Sequence, residues 1–141
     1  MRQRTEAREC ALKILYASEI RKELPAECSQ SFWDNHPSGK NIVKTFSDFL
    51  VEGVYKNKDG IDSIISKYAR NWQLQRMAAI DRNILRIATF ELLFVDDIPP
   101  KVSINEAIEI AKKYGDKDSG KFVNGILDKI SKTERKQDKA I

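Results

Sequence analysis

The sequence has few of the residues that build metal sites, disulfide frameworks and membrane spans. Its 141 residues include one histidine and two cysteines, which excludes both a histidine–cysteine metal cluster and a disulfide scaffold. The two cysteines are expected to be free thiols in a reducing compartment. The longest uninterrupted apolar runs have four residues, such as 92–95, whereas a membrane-spanning helix needs about 20. An apolar signal-peptide segment is also missing, and we expect a cytoplasmic protein.

The sequence also lacks glycine-rich phosphate loops and strand patterns. None of the six glycines is arranged as GxG or as the full phosphate-loop motif GxxxxGK[ST], and the acidic residues are scattered over helical faces. This pattern favours a binding protein without metal or cofactor over an enzyme. Clean alternating runs are absent, whereas apolar residues recur at helical spacing through most of the chain. We therefore predict an all-α fold.

Helical periodicity divides the chain into successive amphipathic segments. The first segment ends before Pro25, and the polar stretch 25–40 predicts a loop or a short irregular helix. The segment 74–95 is apolar on two sides, which is typical of the central helix of one bundle or of two joined bundles. Two prolines stop it, and Ser103 with Glu106 forms a capping box that predicts the start of the next helix.

Charge is unevenly distributed along the chain. The formal net charge is +4, with a net of +3 in residues 1–22, −2 in 23–116 and +3 in 117–141. If the two ends meet in the fold, they form a basic surface that would favour a polyanion, nucleic acid first. Basic termini that are merely solvated explain the same numbers, so the charge alone does not decide.

The first helix carries one candidate nucleic-acid surface. Arg2, Arg4 and Arg8 crowd its first two turns, and Tyr16 lies two turns beyond Arg8. Guanidinium groups suit phosphates, and an aromatic ring offers a stacking surface for bases. The alternatives are that the arginines are solvated and that Tyr16 lies at the edge of the core.

The loop and helix start at 115–122 form a second candidate surface. Exposed amides at a helix start attract anions, and Lys121 adds positive charge. Asp118 either caps the helix or accepts hydrogen bonds from a base edge, and Phe122 is either a core residue or a stacking ring. Gly125, inside the same helix, predicts a close approach by another helix, since glycine costs about 1 kcal/mol there relative to alanine.

One acidic residue interrupts the apolar arc of the central helix. Asp81 lies there near Leu85 and Ala88, so we expect it to pair with an arginine of this chain or to contact a partner chain.

Three segments carry the motifs of a known family. The first contains A-R-E-C-A at 7–11 with Leu15-Tyr16, and the second contains D-R-N-I-L-R at 81–86 with F-E-L at 90–92. The third and most specific runs from I-P-P-K-V-S-I-N-E-A-I-E-I-A-K at 98–112 to K-F-V-N-G-I-L-D at 121–128. In order and spacing, over roughly residues 3–130, these motifs resemble the NusB family of bacterial transcription antitermination factors.

The resemblance implies an all-α fold of two packed helical bundles with about six to seven helices. It implies a single domain over residues 1–130, with an amino-terminal bundle at about 1–70 and a carboxy-terminal bundle at about 72–130. Residues 131–141 would then form a charged, flexible tail.

The resemblance also implies a function. Family members bind boxA, a single-stranded element of nascent ribosomal RNA, together with NusE, a small-subunit ribosomal protein. The complex then joins elongating RNA polymerase and suppresses premature termination. Carried over to this sequence, the residues expected to bind RNA are Arg4, Arg8, Tyr16, Asp118, Lys121 and Phe122. Asp81 is the residue expected to face NusE, and the free protein is expected to be a monomer or a weak homodimer.

One departure weakens the electrostatic part of this expectation. Thr5 and Glu6 interrupt the basic run that usually opens the family's first helix, so RNA binding should depend less on salt. Two other functions stay open. One is a helical scaffold in ribosome assembly that acts through protein contacts. The other, which we rank low, is the NusB-like module that precedes a catalytic domain in some ribosomal RNA methyltransferases.

Overall fold

The computed structural model describes residues 2–36, 41–70 and 73–134. Within these ranges the chain forms seven α-helices, one 3₁₀ turn at Leu74–Arg76 and no strand. The helices are α1 Arg2–Arg21, α2 Pro25–Asp34, α3 Asn41–Lys56, α4 Lys58–Tyr68, α5 Ala79–Phe94, α6 Pro100–Tyr114 and α7 Ser119–Glu134. The predicted all-α class and the number of helices are confirmed.

Helix α5 is the centre of the fold. Every residue from Asp81 to Leu92 is buried, and α5 packs against α1, α3, α4, α6 and α7. Each fully buried leucine, such as Leu85, stabilises the fold by about 1.5–3 kcal/mol relative to an exposed one. The prediction of a central helix is therefore correct, and the main apolar core lies around it.

The central helix begins later than its apolar pattern predicts. Instead of starting at residue 74, α5 starts at Ala79. The guanidinium of Arg82 donates hydrogen bonds to the backbone carbonyls of Leu74 and Met77, at 2.9 and 2.8 Å. These bonds fix the segment before α5 as a 3₁₀ turn followed by extended backbone.

The helices fall into two groups that share α5. Helices α1, α2 and α3 pack together, as do α6 and α7, while α4 contacts both α5 and α7. The expected boundary near residue 71 lies outside the described residues. Helix α7 continues to Glu134, whose carboxylate accepts hydrogen bonds from Lys67 and Tyr68. The first four residues of the expected tail are therefore helical, and the rest of it lies outside the described ranges.

One helix start differs from the prediction, and one agrees with it. Of the stretch 25–40, for which a loop or a short irregular helix is expected, ten residues form the short helix α2. Helix α6 begins at Pro100, not at the capping box. Both helices begin with a proline in the first turn, where the missing amide hydrogen costs nothing. Ser103 lies one turn inside α6 and donates a hydrogen bond to Glu91, so the prediction that Ser103 and Glu106 form a capping box at the helix start is wrong.

The close helix approach expected at Gly125 occurs at another glycine. A Cβ at Gly125 would meet nothing within 4 Å, whereas a Cβ at Gly53 would lie 2.1 Å from the ring of Phe90. Because Gly53 has no side chain, the Phe90 ring of α5 packs directly against the backbone of α3. The prediction for Gly125 is wrong because a sequence shows a glycine but not its neighbour.

Candidate RNA interface

Helices α1 and α5 run antiparallel, which fixes the order of the candidate residues in space. Near the start of α1, Arg8 pairs with Glu91 toward the end of α5. Near the end of α1, Glu19 pairs with Arg82 near the start of α5 and with Arg86 in its middle. Residues early in α1 therefore lie at the opposite end of the molecule from residues early in α5.

Arg8 is not on the surface. Its side chain is 2% exposed, and its Nε and Nη2 both donate to the Glu91 carboxylate at 2.8 Å. Burial alone would lower the pKa of this guanidinium, but the hydrogen bonds and charges of Glu91 and Glu106 outweigh it and raise the pKa. The expectation that Arg8 contacts phosphate is corrected, because its donors are enclosed by protein and turned to Glu91.

Arg4 is half-buried and lies against an aromatic ring. Its guanidinium carbon is 4.5 Å from the centroid of the Phe46 ring on α3, a cation–π geometry. This contact directs Arg4 along the flank of α1 that faces α3. Arg2, two residues earlier in α1, is exposed. Of the three arginines of this candidate surface, Arg2 and Arg4 therefore reach the surface and Arg8 does not.

Tyr16 is 39% exposed and lies on α1, 12 residues and about 18 Å beyond Arg4 at 1.5 Å per residue. A second aromatic and basic group, which the sequence did not indicate, lies between α1 and α6. Lys13 and Lys113 both lie over the ring of Tyr114, and the Tyr114 hydroxyl donates to Glu9 at 3.0 Å. Nothing in the sequence near Lys113 indicates that α6 ends beside α1.

The start of α7 forms a small cleft with the start of α5. Its volume is about 270 Å³, and Asp81, Asp118 and Phe122 are among the residues that line it. Asp118 is exposed and Phe122 half-buried. The structure therefore brings together two of the residues expected to bind RNA and the one expected to face NusE. Lys121, which immediately precedes Phe122 on α7, is exposed.

Local hydrogen bonds at this helix start involve Asp116 and Ser119. The backbone amide of Asp116 donates to the Ser119 hydroxyl at 3.0 Å, and the amide of Asp118 donates to the Asp116 carboxylate at 2.9 Å. The Asp116 carboxylate thus accepts hydrogen bonds within the turn before α7, whereas the sequence offered Asp118 as the residue whose side chain caps the helix. The carboxylate of Asp118 is left at the mouth of the cleft, where a base edge could donate to it.

Asp81 does not pair with an arginine, contrary to one of the two expectations. Arg82 and Arg86, its neighbours on α5, are turned to Glu19 and Asp62. Asp81 is 8% exposed, and its Oδ1 has no hydrogen-bond partner in the described structure. Burial raises the pKa of this carboxyl and the charge of Asp116 raises it further, while a hydrogen bond from Ser119 opposes them.

The cleft also contains residues that the sequence did not single out. Arg76 and Ser119 line it beside Asp81. Arg76 belongs to the 3₁₀ turn before α5, and the helical pattern had placed it inside the central helix. Arg76 reaches the cleft because α5 starts late, at Ala79, and the helical pattern of the sequence does not show this start.

The predicted residues are spread over the molecule and do not share one pocket. Arg4 marks one end, Tyr16 lies partway along α1, and the cleft with Asp118 and Phe122 lies near the start of α5. A track with a cation, exposed rings and hydrogen-bond acceptors is suited to an extended strand, because each base presents a face and each phosphate a charge.

Other chemistry is limited in the described ranges. No group of three or more histidine, cysteine or acidic side chains in them is placed to hold a metal ion. Cys10 and Cys28 are buried and free, as predicted. Burial, with the nearby charge of Glu6, raises the pKa of Cys10 to about 11. Across the same ranges, every helix falls short of the length and apolar character that crossing a bilayer requires.

Comparisons with known proteins agree with one another. The model of the NusB family matches residues 5–132. The transcription antitermination protein NusB of Syntrophus aciditrophicus is 45% identical over 139 residues, which cover 98% of this chain and 86% of that protein. The protein of the same name in Thermodesulfovibrio yellowstonii is 44% identical over 140 residues, covering 93% of each chain.

Solved structures show the same relationship in three dimensions. A structure of T. maritima NusB superposes with a TM-score of 0.86 at 40% identity and covers 97% of this chain and 96% of its own. A crystal structure of the antitermination factors NusB and NusE in complex with dsRNA contains a chain with a TM-score of 0.86 at 32% identity. The match covers 94% of this chain and 98% of that one.

Proposed function

The chain belongs to the NusB family, and on that premise we propose that it is a transcription antitermination factor that binds RNA together with NusE. The fold, the family match over nearly the whole chain and the related complex of NusB, NusE and RNA support this function. The RNA is proposed to be the boxA type of single-stranded element, and the assembled complex to join elongating RNA polymerase. The role is non-catalytic and cytoplasmic in this proposal.

The proposed RNA track consists of Arg4, Tyr16, Asp118, Lys121 and Phe122. The observation that supports it best is the cleft at the start of α7, where Asp118 and Phe122 line one cavity of about 270 Å³. A half-buried ring beside an exposed acceptor can hold one base by stacking and by its polar edge. Arg8 leaves this set, and it contributes by holding α1 on α5.

Asp81 is proposed to face NusE from the inner side of the same cleft. Its carboxylate is buried with one oxygen unpartnered, so a donor from a partner would satisfy it. Because Asp81 and Asp118 line the same cavity, the RNA and NusE surfaces adjoin. This proximity supports joint binding of the two ligands.

An RNA titration with and without NusE tests the function. A boxA-type RNA is expected to bind the wild-type chain, and NusE is expected to strengthen binding. Tyr16→Leu and Phe122→Leu remove a ring but keep apolar packing, and each is expected to weaken RNA binding at least about fivefold, the low end of the stacking range. Tyr55→Leu is the matched control, because Tyr55 is an exposed tyrosine on α3.

The outcome separates this function from the alternative of a scaffold in ribosome assembly. The scaffold is favoured by one observation: Arg8 is buried and Arg4 lies against Phe46, which leaves α1 fewer free cations than its sequence offers. A scaffold would bind NusE but show no measurable RNA affinity with or without it. Affinity that is equal in wild type, Tyr16→Leu and Phe122→Leu would reject the proposed track.

A further inference from the structure

Four phenylalanines form a continuous series at the end of the molecule where Arg4 lies. The ring centroids of Phe46 and Phe49 are 6.0 Å apart, those of Phe49 and Phe90 5.4 Å, and those of Phe90 and Phe94 5.5 Å. The guanidinium of Arg4 covers the first ring. We call Phe46, Phe49, Phe90 and Phe94 the aromatic row.

Two helices build the aromatic row. Phe46 and Phe49 share a face of α3, and Phe90 and Phe94 share a face of α5, at spacings of three and four residues that place side chains side by side. Gly53, four residues beyond Phe49 on α3, leaves the space that the Phe90 ring occupies. The row therefore depends on the close packing of α3 on α5.

Two of the four rings are open to solvent. Phe49 is 47% exposed and Phe94 51% exposed, whereas Phe90 is buried. The buried ring supports the two exposed rings from below, so their positions are fixed by the core. Fixed, exposed rings lose little conformational freedom when a ligand stacks on them.

We infer that the aromatic row binds further bases of the single-stranded RNA and extends the track past Arg4. This inference rests on the proposed function. Sequence-tolerant binding of single strands combines cations with a series of aromatic rings, and Arg4 with Phe46 begins such a series. Arg2 and Arg4 lie at this end of α1, and their positive charge favours a polyanion over a basic or neutral protein surface. Asp96 and Asp97 follow Phe94 and repel phosphate, so the row ends there.

Two RNAs of different length test the inference on the full chain. The core RNA is a boxA-type single strand, and the extended RNA adds four nucleotides to each end. Wild type is expected to bind the extended RNA more tightly than the core RNA. The double variant Phe49→Leu/Phe94→Leu keeps apolar side chains without rings and is expected to lose at least about fivefold in affinity for the extended RNA. Its affinity for the core RNA should stay unchanged.

The matched control is Phe49→Tyr/Phe94→Tyr, which keeps both rings and should keep the gain from the added nucleotides. Circular dichroism melts of all variants report whether each is folded. Equal affinity of wild type for the two RNAs, or a double leucine variant that keeps the gain, would overturn the inference while leaving the proposed function intact.

Other occupants of the row give different results. If the leucine variant loses NusE binding in the absence of RNA, or if wild type dimerises and the variant does not, the row is a protein surface and the inference is wrong. If wild type binds neither RNA with or without NusE, the proposed function fails, and this inference fails with it.

Discussion

At the scale of single residues, charge in the interior of this protein holds helices in place. Arg8 on α1 and Glu91 on α5 form a buried pair, and Ser103 on α6 donates to the same carboxylate at 2.8 Å. Three helices thus meet at Glu91. The geometry favours this pair because both carboxylate oxygens of Glu91 accept hydrogen bonds from Arg8, which offsets part of the desolvation that burial imposes. The remaining guanidinium nitrogen, Nη1, makes no hydrogen bond within the described ranges and lies 3.3 Å from the Glu106 carboxylate.

Loss of one partner is therefore expected to destabilise the fold. Arg8→Met leaves Glu91 buried without a counter-charge, and the free energy of unfolding should fall by about 3–5 kcal/mol. The double variant Arg8→Met/Glu91→Gln removes both charges and should lose less than Arg8→Met alone. Urea denaturation measures both values. The single variant Glu91→Gln completes the comparison. If the loss of the double variant equals the sum of the losses of Arg8→Met and Glu91→Gln, the two residues do not interact.

The same substitution bears on RNA binding. If Arg8 acts through the fold, Arg8→Met should keep its RNA affinity at temperatures where it is fully folded. A reduced affinity in the folded variant would return Arg8 to the RNA track.

Asp81 is expected to make the stability depend on pH. Burial raises its pKa above the ordinary value of 3.8, so the folded state holds a proton to higher pH than the unfolded state. Its contribution to stability therefore falls as the pH rises through the interval between these two pKa values. Asp81→Asn should raise the free energy of unfolding at neutral pH, and this gain should shrink as the pH falls through that interval.

Denaturant titrations at several pH values between 3 and 7 measure this effect. Asp118→Asn is the control, because Asp118 lies in the same cleft but is exposed, and its substitution should change stability little. A gain from Asp81→Asn that stays constant down to pH 3 would contradict the assignment.

At the scale of elements, the packing of α3 on α5 depends on one missing side chain. Gly53→Ala places a Cβ 2.1 Å from the Phe90 ring, and overpacking of this kind costs about 1–3 kcal/mol. Gly125→Ala is the matched substitution in a helix where nothing lies within 4 Å, and the better helix propensity of alanine should stabilise the protein by about 1 kcal/mol. Thermal melts should therefore shift in opposite directions, and a shift in the same direction would show that α3 can move away from Phe90.

The sequence was most informative about the helices, the secondary-structure elements of this fold. Local periodicity predicts which segments are helices, because the apolar face of a helix repeats within the segment itself. It does not show where α5 begins, since that depends on Arg82 reaching back to the carbonyls of Leu74 and Met77. The start of α6 was missed for a similar reason, because Ser103 bonds to Glu91 of another helix.

The candidate site was predictable in part for the same physical reason. Asp118 and Phe122 are four residues apart in sequence, and a helix start brings them to one cleft. The burial of Arg8 was not predictable, because Glu91 lies 83 positions away in the sequence. Asp81 lies in the cleft because α5 packs on α7, and the sequence alone does not show this packing.

At the scale of the whole molecule, the net charge of +4 is spread over both ends of the chain, but few of these cations lie on the proposed track. Arg8 is enclosed, and Lys113 pairs with Glu9. The two cations of the track, Arg4 and Lys121, would engage two phosphates and give a slope of log affinity against log salt of about −1.4, since each phosphate on a single strand contributes about −0.7.

Binding should therefore be only weakly sensitive to salt. Arg4→Gln is expected to make the slope shallower by about 0.7, whereas Lys132→Gln should leave it unchanged, because Lys132 pairs with Asp128 far along α7 from the cleft. Titrations of the core RNA at four or more salt concentrations give both slopes. A wild-type slope steeper than about −4 would mean that more than five phosphates are engaged, and the basic ends of the chain would then have to bind RNA beyond the track proposed here.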